Sequence, residues 1–137
     1  MLSQLKTRLH SLKARLAGED GFASTVILVP ASLVVLFLGF QAAIWYLGQD
    51  TAQNAAQAGY TVARSYQSDP SSGVDAANQV IRSMHAFLPD AHVDVQRTPT
   101  TVTVTVTGRP ESLLPGLNFP PVQRSVTGPV ERWVPAP

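Results

Sequence analysis

"FASTVILVPASLVVLFLGFQAAIWYL", residues 22–47, holds no Asp, Glu, Lys, Arg or His across 26 positions, and its reading decides the fold of the chain. At about 1.5 Å per residue, a helix of this length reaches roughly 39 Å, more than the ~30 Å hydrocarbon core of a bilayer requires. Fourteen of its residues are Leu, Ile, Val or Phe. At roughly 0.3–0.6 kcal/mol each near the bilayer centre, they favour insertion by at most about 4–8 kcal/mol. Gln41 and Pro30 reduce that gain without cancelling it. Pro30 removes one helical hydrogen bond and is expected to kink the segment near its inner end. Trp45 and Tyr46 suit the outer interface, where amphipathic rings settle. A cleaved secretory signal is the main rival, but its apolar core runs to about 7–15 residues and ends in small residues. Here the run is longer, and "GFQAAIW" is a poor cleavage site. Residues 22–47 are therefore expected to form a transmembrane helix, with Pro30 and Gln41 as its helix-packing positions.

The flanks orient it. Lys6, Arg8, Lys13 and Arg15 precede the run against only Glu19 and Asp20, and no basic residue follows until Arg64. The positive-inside rule puts residues 1–21 in the cytoplasm and the C-terminal part outside the cytoplasmic membrane, in a single pass. Within residues 1–21, Leu2, Leu5, Leu9, Leu12 and Leu16 recur at alternating steps of three and four. This apolar stripe on a basic helix suits a partner or the inner leaflet, while the plainer reading is a basic tail that only sets topology.

The totals exclude several classes. The net charge is +1 and the ten basic residues form no large cluster, so nucleic acid is not an expected partner. Cysteine is absent, which excludes disulfides and thiolate chemistry. Eleven prolines, seven from Pro110 onward, predict a loop-rich C-terminal part.

Residues 48–67 read as a helical extension, either newly capped at Asp50 or Thr51 or continuous through Gly48. Ala52, Ala55, Ala56, Gly59, Val62 and Ala63 share one face. Such a small-residue stripe permits close backbone approach, so Ala55, Ala56, Gly59 and Ala63 are candidate subunit contacts. The alternative for its outer half is packing on the chain's own domain. In residues 68–137, "SDPSSG" reads as a breaker, followed by a helix over about 74–88. "HVDVQ" and "TVTVTVT" alternate as half-buried strands joined by "RTPT", with Val93, Val95, Val102, Val104 and Val106 facing a core. "VQRSVT" and "VERWV" predict two short final strands. The loop "GRPESLLPGLNFPP" carries Leu113, Leu114, Leu117 and Phe119, which either cover the end of a small core or form a docking surface. The expected class is α+β: one transmembrane helix continuing into a small extracytoplasmic domain, a helix packed on a small antiparallel sheet, in a pilin-like lollipop.

The order of basic leader, glycine, spanning helix with an early proline, "AQNAAQAGYTVAR", Thr/Val hairpin and "TGPVERWV" resembles the TadE-like proteins of tight-adherence (Tad) pilus systems, over roughly residues 18–135. The resemblance implies a minor pilin-like membrane protein, or pseudopilin, whose partners are the lipid bilayer, other pilin-like subunits and the pilus-platform membrane proteins. It also implies a leader peptidase (prepilin peptidase) cutting after Gly21, leaving Phe22 as the new N-terminus. Where the pilin pattern has a glutamate five residues into the mature chain, this sequence has Val26. That removes a carboxylate able to pair with a neighbour's terminal amine. The expectation is thus an assembly factor or minor subunit that keeps its leader, and not the repeating unit of a fibre. The main alternative is an anchored binding module unrelated to pili.

An enzyme is not expected. His85, Asp90, His92 and Asp94 lie close in sequence and suggest a metal site, but residues of a solvent-facing hairpin read the same way. No G-x-S-x-G, H-E-x-x-H or phosphate-cradling loop occurs, and neither cofactor nor metal is expected.

Overall fold

The computed structural model describes the backbone of residues 2–136 and the side chains of residues 21–136. The leucine stripe of the leader lies outside the described side chains. The chain divides into two compact units, Met1–Gly39 and Phe40–Pro137.

Helix α1 runs over Leu2–Ala63 without a break, passing through Pro30 and Gly48. Of the two routes open at Gly48, the chain therefore takes the continuous helix. In the first unit every described side chain, Gly21 to Gly39, is exposed, including Phe22, Ile27, Val35 and Phe37. This segment is apolar and exposed on all sides. Among the described residues one helix is long and apolar enough to cross a membrane, Gly21–Ala63.

The second unit is α+β. Helix α2, Pro70–Ser83, starts earlier than the sequence suggested. The stretch read as a breaker is a start signal: the Asp69 carboxylate accepts from the Ser71 N–H at 3.1 Å, and Pro70 opens the first turn where its missing donor is harmless. The helix ends before Leu88, which drops into the core from the following turn. Strands β1 (His92–Arg97), β2 (Thr101–Gly108) and β3 (Val122–Pro129) form an antiparallel sheet in the order β1-β2-β3. Its register aligns Val95, Val104 and Val126 across all three strands, and Val93 with Val106. The opposite face pairs hydroxyls, Thr103 with Thr127 and Thr105 with Ser125, each at 3.1 Å.

The final segment departs from expectation. "VQRSVT" extends to Pro129 as β3, but "VERWV" forms no strand. Its first two amides are taken by different elements: Val130 N donates to Thr100 O at 3.0 Å and Glu131 N to Arg64 O at 2.8 Å.

The core lies between the valine face of the sheet, α2 and the last turns of α1. Ala52, Ala55, Ala56, Ala63, Ala77, Leu88, Val102, Val104 and Val106 are fully buried there. The helices meet through glycine: a Cβ on Gly59 would stand 2.9 Å from the Gly73 carbonyl oxygen, and one on Gly73 would stand 2.8 Å from the Ala63 Cβ. At the far end α1 stops at Ala63, and in the turn that follows Gln67 takes a left-handed φ of 57°. The Arg97 guanidinium donates to the Ala63 and Ser65 carbonyls, placing a cation at the helix C-terminus.

Candidate functional site

A lone amide in an apolar run needs partners, because burying it unpaired costs several kcal/mol by order of magnitude. Gln41 is that amide, and it is fully buried. Its Nε2 donates to Glu111 O at 3.2 Å, and its Oε1 accepts from Leu113 N at 2.7 Å. The side chain thus takes both hydrogen-bonding groups of an extended backbone segment. It fastens the connection between β2 and β3 to α1.

The same connection touches α1 twice more. Trp45 Nε1 donates to Pro120 O at 3.4 Å, and the Pro110 ring fills the notch at Gly48, where any Cβ would lie 2.7 Å from its Cγ. Between these anchors "LPGL", residues 114–117, makes a tight turn. Leu117 N donates to Leu114 O at 3.2 Å, Pro115 supplies the first corner and Gly116 the second at φ 84°. That combination is a type II turn, whose third position favours glycine. The turn leaves Leu113 and Leu117 exposed, at 52% and 38%, and Leu114 and Phe119 half-buried. The four apolar residues of the loop are therefore split. Two help cover the domain, and two face outward beside the end of the apolar run.

The other positions singled out in the sequence are scattered. Gly21 and Phe22 are exposed, and Gly21 O accepts from Thr25 Oγ1 at 2.8 Å. Pro30 is exposed within α1, with Ser32 Oγ donating to the neighbouring Val29 O at 2.9 Å. Gln41 faces this chain's own loop and not a second helix. The stripe of Ala55, Ala56, Gly59 and Ala63, a candidate subunit contact, is covered by the chain's own α2 and β2. Small residues permit close approach by whichever backbone arrives, and here it is the chain's own. Arg64 finds its acid in Glu131, with Nε 3.2 Å from Oε1. The N–H is not aimed at that oxygen, so the contact is an ion pair on an exposed surface, beside a Tyr60 ring 5.4 Å away.

His85, Asp90, His92 and Asp94 are all exposed, and Asp94 accepts from Gln96 at 3.0 Å. Among the described residues no group of three or more His, Asp or Glu side chains comes together. A shallow open cleft of about 200 Å³ lies between α1 and β3, lined by Tyr46, Gln49, Asp50, Gln53 and Arg124. Arg124 donates to Gln49 across it. The cleft holds no nucleophile paired with a base.

No family model, no curated protein and no solved structure matches this chain.

Proposed function

We propose that this chain is a membrane-anchored minor pilin-like subunit or assembly factor of a Tad-type pilus or secretion machine, with its N-terminus in the cytoplasm and its α+β domain outside the cytoplasmic membrane. The observation that carries the proposal is α1 itself. One helix serves first as a fully exposed apolar segment and then as the inner wall of a small antiparallel-sheet domain. The likeness of "AQNAAQAGYTVAR" and "TGPVERWV" to TadE-like proteins supports the same reading. The spanning segment would pack beside other pilin-like helices or the pilus-platform membrane protein. With the Ala55–Ala63 face already covered, Trp133 and Val134 of the C-terminal segment are among the exposed apolar side chains that a partner protein would use.

Deletion of the gene is expected to abolish surface filaments, and the intact gene to restore them. Filaments that persist while the protein co-purifies with an unrelated partner would replace this reading with that of an anchored binding module. The leader is a separate matter. With Val26 exposed at the position where a charged partner for a terminal amine would sit, we propose that residues 1–21 stay attached. Intact mass of protein from its native membrane is expected to include them. A mass beginning at Phe22 would show processing by a prepilin peptidase and overturn retention.

A further inference from the structure

We propose that the loop Arg109–Pro121 sits in the bilayer interface on the side of the C-terminal domain, with Leu113 and Leu117 inserted at the acyl boundary. The inference rests on the membrane-anchored reading of α1 and adds a second, peripheral contact to it. Phe22–Phe40 spans about 28 Å at 1.5 Å per residue, close to the full hydrocarbon thickness of a bilayer. The hydrocarbon then ends where the buried Gln41 begins, and Gln41 is bonded to the loop at Glu111 and Leu113. A backbone amide 2.7 Å from the Gln41 side chain is held at the depth of that residue, whatever the rest of the domain does.

The side chains fit that depth. Leu113 and Leu117 are exposed on a proline–glycine turn whose backbone is fixed from behind by three contacts with α1. Tyr46, on the same stretch of α1, is 68% exposed and suits the headgroup level. Arg109, opening the loop, and Arg124, in β3 just beyond it, are exposed and carry the charge that lipid phosphates attract, while Glu111 is the one acid between them in sequence. Apolar residues carried about 5–10 Å into the headgroup boundary, with cations above them, are the ordinary composition of a monotopic contact.

The absence of native cysteine allows a direct test in the full-length protein reconstituted in phosphatidylcholine–phosphatidylglycerol vesicles. Spin labels at Leu113→Cys, Leu117→Cys, Val34→Cys and Gln79→Cys are compared for collision with oxygen, which enters lipid, and with a nickel chelate, which does not. All four native side chains are exposed, so labelling leaves the core untouched. The expected result is loss of nickel broadening at 113 and 117 with oxygen broadening kept, as at 34 and unlike 79. Labels at 113 and 117 that behave like 79, with 34 still protected, would overturn the loop contact and leave the anchor standing. Loss of both broadenings at 113 and 117 would mean a protein covers them, and would overturn it too. Nickel access at 34 would overturn the anchor itself.

Discussion

Gly59→Val is expected to destabilise the C-terminal domain by a large share of its stability. The new Cβ would meet the Gly73 carbonyl oxygen at 2.9 Å, Val104 Cγ1 at 3.1 Å and Ala77 Cβ at 3.2 Å. The first of these is backbone in the middle of the facing helix contact and cannot rotate away. Overpacking of this kind typically costs about 1–3 kcal/mol, and a β-branched side chain with two further methyl groups takes it to the upper end. Small domains hold only about 5–15 kcal/mol in total. Gly59→Ala is the instructive control. It gains roughly 1 kcal/mol of helix propensity, so a net loss of stability isolates the steric term. Hydrogen exchange of the β2 amides in the full-length protein in detergent checks both variants. Wild-type protection in Gly59→Val would show that the helices do not cross as closely as the Gly59–Gly73 contact requires.

The second large effect is local. Gln41→Leu keeps the volume and deletes both hydrogen bonds, stranding Leu113 N–H and Glu111 C=O. An unsatisfied buried group costs about 1–3 kcal/mol, so exchange of the Leu113 amide should accelerate roughly ten- to a hundredfold. The β2 amides should be unaffected, because the valine core makes no use of this side chain. Unchanged exchange at Leu113 would show that Pro110 and Trp45 hold the loop without Gln41. Global loss of protection would instead place Gln41 in the folding core.

Much of the fold can be read from the residues alone. The Val/Thr alternation of residues 101–107 produces a strand with one buried face because a period of two admits nothing else, and the uncharged run 22–47 reads as a membrane-length helix. What resists reading is whatever depends on a partner far away in the chain. "SDPSSG" contains residues that both break and start helices, and only the side-chain bond from Asp69 decides between them. "VERWV" has strand composition, yet β3 ends at Pro129, and Val130 and Glu131 bond onward only to the Thr100 and Arg64 carbonyls beyond the other elements' ends. The Ala55–Ala63 stripe announces a close contact without saying with whom. Gln41 carried the clearest signal, a polar group in an apolar run. Packing against another helix was the natural expectation for it, and its actual partners lie 70 and 72 residues away.

That separation has a consequence in time. A ribosome adding about 5–20 residues per second needs roughly 4–14 s to pass from Gln41 to Leu113. Throughout that interval the amide has no partner from its own chain, and the helical face that will form the inner wall of the domain stands uncovered. The face is built from Ala52, Ala55, Ala56, Gly59 and Ala63, side chains that expose very little apolar area. That face of the nascent helix therefore presents little apolar area to chaperones while it waits for its sheet.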